Sequence, residues 1–115
     1  QRLARLVGAG VAKEMIFGAR NIKADRAYAI GLVNAVYPAE ELMGAAMKMA
    51  NGIAKNAPIA VANAKRAIND GLQSDIDSGI AIEVKEFADC FRTEDQTYGM
   101  TCFLEKAKEK TFSNK

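Results

Sequence analysis

From Pro38 to Pro58 the chain reads PAEELMGAAMKMANGIAKNAP, and this stretch decides the fold class. Leu42, Ala45, Ala46, Met49, Ala50 and Ile53 recur at three- and four-residue intervals, so they line one side of an α-helix and neither face of a strand. Pro38 suits the first turn of that helix or the position just before it, where a missing N–H costs nothing. Asn56 and Ala57 ahead of Pro58 mark the end of this helix and the start of the next.

Downstream the same logic continues. The helix opened by Pro58 carries Ala60, Ala64, Ala67 and Ile68 before Gly71 ends it, and such small side chains predict a close approach to another helix. Ser74 and Asp77 have the spacing of a capping box, with Asp in place of Glu or Gln, and Ile76, Ile80, Val84, Phe87 and Phe91 then form one apolar stripe over about four turns. Thr93 with Gln96 is a second capping box, opening a helix through Met100, Phe103, Leu104 and Ala107, and the periodicity fades from Lys108.

Upstream, Gln1 to Val7 reads as helix with Leu3, Leu6 and Val7 on one side, and a second helix is expected from about Val11 to Phe17, between Gly10 and Gly18. A small helix around Asp25 to Ile30 ends at Gly31, flanked by Ile22 and Leu32 to Tyr37 as candidate short strands. The expectation is a mainly α fold with at most a short β-α-β piece. Residues 1–115 read as one domain or part of one, and a first residue that is Gln1 rather than Met leads us to expect a segment upstream.

Composition narrows the function. Sixteen Lys and Arg against fourteen Asp and Glu give a net charge of +2, too small to imply nucleic acid as a partner without a clustered basic face. The chain has no His and only Cys90 and Cys102, so it lacks the ligand sets of zinc or iron sites and cannot build a catalytic triad from its own residues. Two isolated thiols read as reduced side chains of a cytoplasmic protein rather than a disulfide framework. No apolar run approaches the roughly 20 residues of a membrane span, so no membrane partner is expected.

Several motifs, in order, resemble one family. Gln1-Arg2-Leu3 with Arg5 and Gly8 is similar to the end of the Gly-Gly-x-Gln-Arg-Leu segment of the enoyl-CoA hydratase, or crotonase, family. Ala12 to Phe17 fits the helix that follows, and Ala24, Ala27 and Gly31-Leu32-Val33-Asn34 with Val36 resemble the family's Ala-x-x-Ala-x-x-x-Gly-Leu-Val-x-x-Val run. Asn56-Ala57-Pro58, Lys65, Phe91, Gly99-Met100, Phe103-Leu104-Glu105-Lys106 and Phe112 complete a match that covers essentially the whole chain. The sequence departs from the pattern at Lys23, where an N-capping Asn, Ser or Asp is usual, at Tyr98 in place of Glu, and at Ala107 in place of a common Arg.

The resemblance implies the C-terminal helical region of the crotonase fold, and within the family it is strongest to short-chain enoyl-CoA hydratases and 3-hydroxybutyryl-CoA dehydratases. Such enzymes add or remove water across the double bond of an acyl-CoA thioester in fatty-acid metabolism. They need a carboxyl pair to handle water and protons, and backbone N–H donors to polarise the thioester carbonyl. In the family those groups precede the Gly-Gly-x-Gln-Arg-Leu segment, so the resemblance places no catalytic residue in this chain. It implies no tightly bound cofactor, the coenzyme A thioester being substrate, and a homo-oligomer, trimer or hexamer. It also implies that the last helix reaches the adenine and phosphate end of coenzyme A bound by a neighbouring subunit, through Phe103 and Lys106.

Physical chemistry agrees with those two positions, since an aromatic face can line adenine and an ammonium can meet a phosphate. Against this, Phe103 also sits on its helix's apolar stripe, and Lys106 is one of several lysines with Lys108, Lys110 and Lys115. The chain's own acidic pairs, Glu40 with Glu41, Asp75 with Asp77 and Glu94 with Asp95, each fall at a helix start, where exposed N–H groups favour negative charge. Neighbours on a helix diverge by about 100° per residue, so such pairs read as caps rather than catalysts. Phe87 and Phe91 could border an acyl pocket or form core, Cys90 reads as a small buried hydrophobe, and Met43, Met47 and Met49 read as packing surface. Two alternatives stay open: a self-associating helical module without catalysis, and a part of another crotonase-superfamily enzyme, an isomerase or thioester hydrolase.

Overall fold

The computed structural model describes all 115 residues as seven helices with no strand. They are α1 (Arg2–Val7), α2 (Ala9–Gly18), α3 (Ala24–Ala29), α4 (Ala39–Ala54), α5 (Pro58–Gly71), α6 (Ile76–Cys90) and α7 (Glu94–Leu104). Two compact units divide the chain, Gln1–Ala46 and Met47–Lys115.

In the first unit, α1 and α2 pack together across Gly8, whose φ of 83° and ψ of 155° lie where a side chain would be strained. α2 begins earlier than its glycines suggest: Gly10 lies inside it, and the chain leaves it at Ala19 in left-handed conformation. Lys23 starts α3 without any side-chain cap, as its departure from the family pattern predicts. Gly31 ends α3 at φ 73°, with its own N–H on the Tyr28 carbonyl and the Leu32 N–H on the Ala27 carbonyl, the paired bonds of a Schellman turn. Ala12 and Ala27 are the unit's buried apolar residues, and an exposed Arg26–Glu14 ion pair at 3.5 Å links α3 to α2.

The expected strands are not present. Ile22 and Leu32 to Tyr37 form irregular segments, because an extended run becomes a strand only when another offers it a ladder of N–H and C=O partners.

In the second unit α5 and α6 form a helical hairpin. A Cβ on Gly79 would lie 3.3 Å from the Gly71 carbonyl oxygen, so the backbones approach closely where both residues lack side chains. The turn caps α6 one residue later than the sequence suggests: Asp75, not Ser74, accepts from the N–H three positions on, that of Ser78 at 3.0 Å, and also from the Ser78 hydroxyl at 2.7 Å. The Ser74 hydroxyl instead donates to the Gly71 carbonyl at 3.0 Å. Thr93 caps α7 as expected, its hydroxyl oxygen accepting from Gln96 N at 3.1 Å.

The apolar stripes lie mostly open. Ile76, Ile80, Val84, Phe87 and Phe91 are between 51% and 76% exposed, and no residue of α4 is buried. Cys102 is the unit's one buried apolar side chain.

Candidate functional site

Three features of the second unit carry chemistry: a polar seam between α5 and α6, an apolar groove beside it, and the end of α7 with the tail that follows.

The seam centres on Asn63, which is 2% exposed. Its amide donates to the Glu86 carbonyl at 3.0 Å and to Cys90 Sγ at 3.4 Å, while its oxygen accepts from Arg66. Arg66 Nε reaches the Glu86 carboxylate at 3.0 Å, so the buried acid is paired. α6 therefore meets α5 at Gly79, Glu86 and Cys90, while its apolar stripe borders a groove shared with α5. Cys90 is half-buried and hydrogen-bonded rather than a plain buried hydrophobe. An Asn placed among Ala60, Ala64 and Ala67 is the one signal of this seam that the sequence carries, and its partners 23 and 27 positions away are not readable from it.

The groove, about 960 Å³ and open, is lined by Ala64, Ala67, Ile68, Ile80, Phe87 and Phe91 among others. Phe87 and Phe91 meet edge to face with centroids 5.3 Å apart. The expected small-residue face of α5 thus borders this groove, and the close helix contact falls at Gly71 instead.

Of the acidic pairs, two members are taken up by backbone. Bonds from the Ser78 N–H and hydroxyl hold the Asp75 carboxyl below the ordinary aspartate value. Asp95, 2% exposed, accepts from Ser113 N at 2.7 Å, Ser113 Oγ at 3.1 Å and Asn114 N at 2.8 Å. Burial pushes the Asp95 carboxyl up, but the Ser113 and Asn114 bonds outweigh it and leave the group lowered. Asp95 was readable as a residue of the first helical turn; its grip on the tail, 18 and 19 positions on, was not.

At the other end of α7, Lys106 adopts φ 54°. Its N–H bonds to the Phe103 carbonyl at 3.2 Å and the Ala107 N–H to the Cys102 carbonyl at 2.9 Å, the same Schellman arrangement that Gly31 makes in α3. In this chain Phe103 is 70% exposed, and Lys106 is exposed as well. The two residues named from the sequence therefore both lie at the C-terminal end of α7 and are exposed in this chain.

Residues 1–114 match the enoyl-CoA hydratase/isomerase family. The chain is 55% identical over 115 residues to a short-chain-enoyl-CoA hydratase of Clostridium acetobutylicum, covering all of this chain and 44% of that protein. It is 49% identical over 108 residues to a crotonyl-CoA hydratase of Syntrophomonas wolfei, covering 94% of this chain and 42% of that protein. The crystal structure of an enoyl-CoA hydratase from Bacillus anthracis superposes with a TM-score of 0.93 at 39% identity, over 100% of this chain and 44% of that one. The chain thus spans less than half the length of each of these three proteins.

Proposed function

The chain belongs to the enoyl-CoA hydratase/isomerase family, and from that premise we propose that residues 1–115 are the C-terminal helical part of an enzyme that adds water to a short-chain enoyl-CoA thioester, or removes it. The observation that carries this reading is 55% identity along the whole chain to a short-chain-enoyl-CoA hydratase. The helical fold agrees with it.

In this reading the carboxyl pair and the carbonyl-polarising amides belong to residues outside this chain, and no acidic pair here replaces them. Water adds at the β carbon of the enoyl thioester and a proton reaches the α carbon, so charge builds on the thioester oxygen between the two events. What this chain supplies is binding at the far end of the substrate. The exposed ring of Phe103 offers a face to adenine, and the Lys106 ammonium offers a counter-charge to phosphate. The open stripes of α4 and α6 supply contact surface to the remainder of the protein and to further copies in a cytoplasmic trimer or hexamer. No helix is long and apolar enough to cross a membrane.

The test compares this chain with the full product of its gene, taking the intact mass of each and following loss of the enoyl thioester absorbance of crotonyl-CoA. A longer, active product beside an inactive 115-residue chain is the expected outcome. Turnover by the short chain itself would overturn the assignment of the machinery elsewhere, and a folded but inactive full product would overturn the hydratase reading in favour of an isomerase or thioester hydrolase.

A further inference from the structure

We propose that Asp95 is a positioning residue for coenzyme A: by tying residues 113–115 back along α7, it sets where Lys106 stands. The proposal rests on the coenzyme A reading of Lys106.

After α7 the chain reverses and is stapled to the helix at successively earlier positions. Ala107 bonds to Cys102 at the turn, Thr111 N donates to the Tyr98 hydroxyl at 3.3 Å, and Ser113 and Asn114 donate to Asp95. Asp95 N in return donates to the Lys115 carbonyl at 3.2 Å. Between these bonds the Phe112 ring packs edge to face on Tyr98, with centroids 5.8 Å apart, and lies 3.3 Å from where a Cβ on Gly99 would be. The returning segment is therefore an ordered strap with a defined direction.

The strap matters because of the turn it closes. Lys106 occupies a left-handed position that suits glycine, so this turn is not self-sufficient in the way that the Gly31 turn is. An anchor beyond the turn keeps it in place. Asp95 is the strongest such anchor: it is almost fully buried, has no cationic partner, and answers its charge with two amides and one hydroxyl, all from the tail. With the strap closed, the Lys106 backbone is already ordered when a phosphate arrives, and less freedom remains to be lost on binding.

The experiment uses the full product of the gene and two substrates, crotonyl-CoA and crotonyl-pantetheine, which lacks the nucleotide. Asp95→Asn keeps the shape and one acceptor, and deletion of Ser113–Lys115 removes the donors while leaving Asp95 in place. Each is expected to raise KM for crotonyl-CoA about three- to tenfold, the scale of ordering one side chain, with kcat unchanged. Turnover of crotonyl-pantetheine should not change. Lys106→Ala should raise KM for crotonyl-CoA on its own, and adding Asp95→Asn to it should then cost less than twofold. Equal losses with both substrates would overturn the proposal, because the strap would then hold the fold at large. Full multiplication of the two effects would overturn it as well. If Lys106→Ala weakens coenzyme A use and Asp95→Asn does not, only the positioning role fails; if Lys106→Ala has no effect, the coenzyme A reading fails with it.

Discussion

Asn63 illustrates what a single side chain settles. A buried amide has to satisfy its donors and acceptor, and here it does so against the Glu86 carbonyl, the Cys90 thiol and Arg66. Replacing it with Ala, which cannot hydrogen-bond, is expected to cost about 1–3 kcal/mol, the range for stranding buried polar partners. Urea unfolding of Asn63→Ala beside the parent chain measures this, and a change below about 0.5 kcal/mol would show that the seam is incidental. Among the departures from the family pattern, Lys23 leaves α3 without a side-chain cap, while Tyr98 gains a role of its own by receiving Thr111 and packing on Phe112. The sequence signalled the first, because capping is local. The second depends on where a tail returns, which no local rule gives.

At the scale of the element, helix content was legible almost throughout. Proline positions, Thr93 and the three-and-four spacing placed the four long helices α4 to α7 to within a few residues. Which face of a helix meets which neighbour was less legible. The stripe from Ile76 to Phe91 reads as core or as the border of a pocket, and α6 turns Gly79, Glu86 and Cys90 toward α5. Periodicity reports that a face is apolar and is silent on what covers it. The Gly71–Gly79 contact predicts opposite outcomes for two similar substitutions. Gly79→Ala drives a methyl against backbone and should destabilise by about 1–3 kcal/mol. Gly44→Ala, in a helix with nothing within 4 Å, should stabilise by about 1 kcal/mol through helix propensity. Thermal unfolding of both variants checks the pair, and equal effects of the same sign would sink the close-approach argument.

For the whole molecule, the scarcity of buried apolar side chains is the dominant property. Ala12, Ala27 and Cys102 are the only ones, while Leu42, Met43, Met47, Met49, Ile53, Phe87 and Phe91 are half exposed or more. Apolar surface on that scale favours association over solvation. The 115-residue chain by itself is therefore expected to self-associate with rising concentration, and sedimentation velocity giving a clean monomer at the highest attainable concentration would refute this. In the proposed full-length protein the same faces are expected to be covered, so the proposed assembly and the association of the isolated chain would draw on one surface.

The sequence by itself determined the helical class, the positions of the main helices and the family resemblance. These follow from spacing along the chain, and spacing is local information. The tertiary structure alone decided that Asn63 and Glu86 form the α5–α6 seam, that Asp95 grips the tail, and that Ile22 and Leu32 to Tyr37 are not strands. Each of those depends on a partner many residues away, or on the lack of one, and a buried polar group or an extended backbone takes its state from the partner it finds.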